Sequence, residues 1–184
     1  VHVPEASLAR DVVHVLDRLG ISFALIGAAA LAVRGLSRGT HDIDFMTTST
    51  SAMNVDWTTE LDAATRVDVR RGDHDDPLAG VVRISREAAA DVDLVIGKWK
   101  WQEAMITRSE PVDLELFRVR VPDVADLVIL KIDAGSYLDR RDAVQLLEIH
   151  GAETITTVDL RVRDLPRHVK VAWKQLKAEI SPLT

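Results

Sequence analysis

The sequence contains no cysteine. That absence excludes disulfides, thiolate zinc sites and cysteine nucleophiles, and it fits a reducing cytoplasm, the expected compartment. Aromatic residues are scarce at 4%, so the core must be assembled from Ala, Val, Leu and Ile. Acids outnumber bases, giving a net charge of −6. That balance argues against a broad basic face for nucleic acid and leaves room for a local basic groove. No apolar run approaches the ~18 residues of a membrane-spanning helix. The N-terminal stretch carries acids and no long apolar segment, which predicts no signal peptide. Neither Gly-x-Gly-x-x-Gly nor Gly-Lys-Ser/Thr occurs, so neither a dinucleotide fold nor a P-loop is indicated. Repeats, linkers and low-complexity segments are also missing.

What is present is an ordinary globular composition, 47% hydrophobic and 28% charged over 184 residues. That suffices for one domain, or one domain with a small helical appendage. Leu8, Val12, Val15, Leu16 and Leu19 recur at helical spacing, predicting a helix over 5–19 that Gly20 ends. Residues 21–26 read as a buried strand. Gly27 turns the chain into a small-residue helix over 28–34, and Gly35 closes it. A strand follows at 42–46, then a Thr/Ser-rich loop or cap at 47–54 and a weak helix over 55–64. Strands are expected at 66–71 and 80–86, where Val67, Val69, Val82 and Ile84 alternate with charges. The acidic turn between them, 72–77, reads as a solvated hairpin loop in preference to a metal loop. A further strand covers 91–96. Trp99 and Trp101 flank Lys100 in an amphipathic segment, placed to stack a base or, preferably, to anchor a helix in the core. Residues 112–121 alternate, with Leu114, Leu116, Val119 and Val121 inward. Helices are predicted over 122–134, 138–149 (ended by Gly151) and 167–179, with a Val/Leu-rich stretch near 155–165.

The chemistry concentrates at Arg38-Gly-Thr-His-Asp-Ile-Asp-Phe-Met46. Side chains at i and i+2 of a strand leave from one face. Asp42 and Asp44 therefore point together, while Ile43 and Phe45 point into a core. Two carboxylates aimed at one spot raise each other's pKa unless a cation lies between them. A hard divalent ion such as Mg2+ suits that place. From the pair alone, a solvated edge strand has equal weight. Asp91 and Asp93 repeat the pattern in the later strand. Strand, Gly27 and helix together also offer backbone N–H groups for a phosphate, although a plain turn explains a lone glycine.

The order of these blocks resembles the nucleotidyltransferases of the DNA polymerase beta superfamily. It is most similar to the small prokaryotic ones: minimal, antibiotic-modifying and abortive-infection toxin-type transferases. The matching residues are Gly27-Ala28-Ala29-Ala30, Arg38 through Asp42-Ile-Asp44, Val92-Asp93-Leu94, and Leu127 through Lys131 with Arg140-Arg-Asp142. The likeness covers roughly residues 5–150. It implies an α/β (α+β) fold, a mixed sheet flanked by helices, with a core over 1–121 and a helical part over 122–184 packed on it as one compact unit. It also implies transfer of a nucleoside monophosphate from an NTP to a hydroxyl acceptor, with release of pyrophosphate. Asp42, Asp44 and Asp93 would hold two Mg2+ ions, with Mn2+ as a substitute, about 3.5–4 Å apart in such sites. Asp91 competes with Asp93 for the third place, and the family pattern of an Asp among apolar residues favours Asp93. Gly27 and Ala28 would cradle phosphate. Lys131 and Arg38 would neutralise the triphosphate, Thr40 would brace the turn or touch nucleotide, and Asp142 would orient Lys131 or an acceptor. His41 reads as structural in preference to a ligand or base.

Much of that family has Ser or Gly after the first glycine, where this chain has Ala28. The missing hydroxyl removes one phosphate contact, ~1 kcal/mol for a neutral hydrogen bond. The acceptor could be a small molecule, a protein side chain or an RNA end gripped by Lys98, Lys100, Arg140 and Arg141. Two other readings stand beside this one. The first is a weak or inactive module of the same fold acting through a protein partner, as in a toxin–antitoxin pair. The second is a Mg2+-dependent phosphohydrolase, which would release phosphate instead of pyrophosphate.

Overall fold

The structure, a computed structural model, describes residues 6–180. Glu5, at the start of the first predicted helix, lies outside them, as do the rest of the extreme N-terminus and residues 181–184. Helix α1 (Ser7–Arg18) buries Leu8, Val12, Val15 and Leu16 along one stripe. Strand β1 (Phe23–Ile26) runs through Gly27 into α2 (Gly27–Val33). Strand β2 (Asp42–Thr47) follows, then a 3-10 turn at Thr50–Asn54 and the single turn α3 (Trp57–Glu60). Strands β3 (Arg66–Arg71), β4 (Gly80–Ser85) and β5 (Asp91–Ile96) complete a mixed five-stranded sheet in the order β1-β2-β5-β4-β3. Only the β2–β5 pair is parallel; the other three are antiparallel.

Apolar residues on alternate positions decide which face of the sheet is inward. Leu25, Phe45, Leu94 and Val82 lie side by side in register across four strands. All four are 0–1% exposed. Phe23 meets Phe45 edge-on, with centroids 5.6 Å apart, so two of the three phenylalanines pack at the β1–β2 pair. Fully burying each such side chain contributes about 1.5–3 kcal/mol. Trp57 is also buried, its indole N–H donating to the Ala52 carbonyl at 3.1 Å.

Three elements differ from the sequence expectation. The 55–64 helix is reduced to α3, because Asp56 caps it and Asp62 accepts bonds from Ala64 N–H and the Thr65 hydroxyl, which fold the chain into a turn. The 112–121 segment is two short strands, β6 (Glu110–Asp113) and β7 (Arg118–Val121), paired with each other. Val119 and Val121 are buried as expected, while Leu114 and Leu116 sit half-buried in the connecting turn. The Val/Leu-rich stretch after Gly151 is helical. Helix α4 (Lys100–Arg108) leaves Trp99 37% exposed and Trp101 half-buried.

The described chain forms two compact units. One holds the residues up to Ala30 and Ser37–Pro122; the other holds Leu31–Leu36 and the residues from Asp123 onward. The second unit is built from α5 (Val124–Ala134), α6 (Tyr137–Val162, broken at Gly151 with φ 69) and α7 (Arg167–Ile180). Arg161 ties this unit internally, forming ion pairs with Asp123 at 2.6 Å and with buried Asp126 at 3.0 Å. Among the described residues no helix is long and apolar enough to cross a membrane.

Within the first unit Arg86 clamps two distant segments, donating to Asp11 at 2.7 Å and to Asp62 at 2.6 Å. Burial pushes Asp11 up, but hydrogen bonds from Arg86 and Arg10 outweigh it and hold its pKa below the ordinary 3.8. Asp62 is lowered as well, chiefly by Arg86. Carboxylates with depressed folded pKa values add stability above 3.8 that is lost as pH falls through the depressed values. Arg86→Met therefore lowers the urea midpoint at neutral pH, and its deficit against wild type shrinks in acid. A deficit that stays constant with pH would reject the clamp.

Candidate functional site

The parallel register of β2 and β5 sets Asp42 beside Asp91 and Asp44 beside Asp93. Adjacent strands lie about 4.8 Å apart, so four carboxylates share one face. The opposite face is the core just described, which fixes these side chains outward. Asp93 is the most enclosed of the three for which exposure separates them: its side chain is 22% exposed, against 41% for Asp42 and 37% for Asp91. Burial raises the Asp93 pKa; Arg83 draws it back, and the charges of Asp42 and Asp91 push it up again.

Asp44 is positioned by an absence. Ile26 pairs with Asp44 across the sheet, so the next residue, Gly27, turns directly over it. Gly27 has φ +62, and a Cβ built there would lie 1.9 Å from Asp44 Oδ2. The glycine is required by both its backbone angle and the carboxylate it accommodates. Ala28 is buried at 2%, so it offers its backbone alone. The helix behind this turn has seven residues, which gives it a small dipole. Room for Asp44 is the clearest role of Gly27.

The cation among these acids is Arg83, which the sequence reading did not single out. From β4, its Nη2 donates to Asp42 Oδ2 at 2.9 Å. Its Nε lies 3.1 Å from Asp93 Oδ1 and 3.6 Å from Asp91 Oδ2. The Asp93 contact is an ion pair without hydrogen-bond alignment, and both Asp93 Oδ1 and Arg83 Nε are buried without a hydrogen bond. At 43% exposure of the Arg83 side chain, each pair contributes roughly 0–1 kcal/mol. Among the described residues no three acids or imidazoles converge into a ready metal cage. The donor set still suits a hard divalent ion: carboxylates on one face, one seated against Gly27, and one buried oxygen lacking a hydrogen bond. A signal for Arg83 existed, since it occupies the outward position between Val82 and Ile84. That it falls opposite Asp93 depends on a strand pairing that the sequence does not state.

The other expected residues lie as follows. Thr40 braces the entry to β2: its hydroxyl donates to the Asp42 carbonyl at 3.0 Å and accepts from Asp42 N–H at 3.3 Å. His41 is exposed, and Arg38 is half-buried in the same loop. Lys131 and Asp142 belong to the second unit. There the Lys131 ammonium lies 2.7 Å from Asp139 and 3.0 Å from Asp142, which is fully buried. Asp142 is thus an ion-pair partner of Lys131 within the second unit. Asp139, overlooked in the sequence, also caps α6 through Ser136. In the acidic turn Asp73 accepts from Asp75 and Asp76 N–H, and Lys98 donates to the His74 carbonyl at 3.1 Å. The Asp73 bonds are local, as expected of a hairpin loop, while Lys98 ties that loop to the segment after β5.

Gly27→Ala separates these ideas. The left-handed conformation alone costs about 1–2 kcal/mol, and the clash with Asp44 adds to it. The variant should unfold at lower urea than wild type. Pairing it with Asp44→Ala, which removes the clashing carboxylate, should restore part of the loss. No restoration in the double variant would show that Asp44 is not what the glycine accommodates.

Comparison with known proteins places this geometry. No curated protein matches the sequence. The fold is similar to an antigenic nucleotidyltransferase-like protein from Paracoccidioides brasiliensis, at a TM-score of 0.58 and 14% identity, covering 100% of this chain and 92% of that one. It is also similar to the antibiotic-resistance factor ANT(2'')-Ia, at a TM-score of 0.50 and 14% identity, covering 97% and 94%. At such identities the likeness shows the fold alone. The sequence itself matches a family model over residues 6–179, and the chain belongs to that family, described as nucleotidyl transferase of unknown function (DUF2204).

Proposed function

We propose that the chain transfers a nucleoside monophosphate from ATP or another NTP to the hydroxyl of a small-molecule acceptor, releasing pyrophosphate. In this reading Asp42, Asp44 and Asp93 hold Mg2+, or Mn2+ in its place. The observation that carries it is the set of carboxylates on the β2–β5 face, with Asp44 seated against Gly27, in a chain of a nucleotidyl transferase family. When bound, the metal supplies positive charge for the triphosphate and acidifies the acceptor hydroxyl. The chain's own residues do the positioning. Gly27 and Ile26 fix Asp44, Thr40 fixes the start of β2, and Arg38 faces phosphate charge from the same loop. Lys131, held by two carboxylates, stiffens the α5–α6 pair, with Asp142 as its anchor.

Charge supports a small acceptor. The net charge is −6. Of the cations expected to grip an RNA end, Lys98 donates to its neighbouring loop and Arg140 pairs with Glu179. One observation favours a second reading: a guanidinium already stands among the acids. A module that acts through a protein partner, as half of a toxin–antitoxin pair, needs no metal there.

Calorimetry with ATP, GTP, CTP and UTP, with and without Mg2+, tests the choice. The transferase reading expects Mg2+-dependent binding that Asp42→Asn abolishes. It also expects Asp44→Asn to lower pyrophosphate release by roughly 100-fold or more while circular dichroism stays unchanged. Absence of nucleotide binding, together with a partner that co-purifies stably, would replace this reading with the module.

A further inference from the structure

We propose that Arg83 is the built-in counter-ion of the acid face, and that a divalent cation binds there only by displacing its guanidinium. The inference rests on the reading of Asp42, Asp44 and Asp93 as metal ligands. It goes beyond that reading by assigning a competitor, and so a control on metal affinity, to a residue outside the ligand set.

The geometry makes the competition direct. Asp42 Oδ2 and Asp93 Oδ1, the oxygens closest to Arg83, are 2.9 and 3.1 Å from it. An ion bound between those two carboxylates on this face would compete with the guanidinium for the space beside them and for the same negative charge. One guanidinium stands on a face of four carboxylates, so the face keeps an unbalanced negative charge that attracts a second cation. The guest is also imperfect. It balances charge at Asp93 but leaves Asp93 Oδ1 and its own Nε without hydrogen bonds. A metal ion would satisfy that oxygen, and release of the side chain would let water satisfy the Nε.

Displacement needs no change of fold. Arg83 is on β4 between Val82 and Ile84, both 0% exposed, so the backbone is fixed from the core side. The Arg83 side chain is 43% exposed, which leaves the guanidinium a path to solvent. A flexible side chain, not a packed element, therefore closes the face. A resident competitor that occupies the ligands nine-tenths of the time lowers apparent metal affinity about tenfold. An anion that draws the guanidinium away would raise metal affinity, and by linkage the metal would raise affinity for that anion. A triphosphate has the charge to do so.

The test is Mn2+ binding without nucleotide, followed by electron paramagnetic resonance, on the full chain. Arg83→Gln should bind Mn2+ about tenfold more tightly than wild type, and Arg83→Lys, which keeps the charge, should stay near wild type. Asp42→Asn should bind weakly with or without Arg83. Equal or weaker binding by Arg83→Gln, with wild type still binding, overturns the competition and leaves the metal reading standing. Absence of binding in wild type and Arg83→Gln alike overturns both. Should Arg83→Gln fail to fold, the Arg83 Nε–H resonance of the wild-type protein decides. It should shift as Mg2+ is added, at the concentration where Mg2+ binds; a resonance that stays still overturns the proposal.

Discussion

The parallel pairing of β2 with β5 is the constraint on which the rest of the first unit depends. It sets Asp42 and Asp44 in register with Asp91 and Asp93 and confines four carboxylates to one face of the sheet. That arrangement is held against its own repulsion by two things. The opposite face is packed with Phe45, Leu94 and Val82, whose burial far outweighs the half-exposed ion pairs on the acid side. Arg83, projecting from β4, supplies the missing positive charge. The site is stabilised by its core and only partly neutralised by its cation, so chemistry on the acid face can change without unfolding the sheet.

Gly27 links β1 to the helix that follows it. The strand before it pairs with β2, and the turn it makes passes over Asp44 with no room for a Cβ. A backbone conformation and an acid side chain are therefore selected together. The second unit repeats the theme of paired charge in a different setting. Lys131 with Asp139 and Asp142, and Arg161 with Asp123 and Asp126, pair buried or half-buried charges. Removing one member of such a pair leaves an unmatched charge in a poor solvent for it, which is why these contacts fix the helices in place.

Much of the sheet was legible because period-two patterns survive in short strands. Val82 and Ile84, and Val92 with Leu94 and Ile96, each mark an inward face, while Val67 and Val69 alternate on the edge strand with Val69 left exposed; all three strands lie where alternation put them. The Asp pairs were legible for the same reason. Less visible was anything decided by pairing between segments far apart in sequence. The role of Arg83 depends on β4 lying beside β5, and that of Asp139 on α5 bringing Lys131 to it; neither pairing is written in the local pattern. Local turn chemistry accounts for the shortened α3. In α6, Gly151 breaks the helix as expected, and the residues beyond it, with Val158 and Val162 buried, form a further helical stretch that period-two and composition cues do not define.

A divalent cation bound on the acid face requires the Arg83 guanidinium to move aside. A crystal structure with Mn2+ and a non-hydrolysable NTP analogue, using the anomalous signal of the metal, tests it most directly. The expected result is a Mn2+ peak contacting Asp42, Asp44 and Asp93, the triphosphate beside it, and the Arg83 guanidinium turned away from Asp42. Manganese located elsewhere, with Arg83 still bound to Asp42 and Asp93, would contradict it.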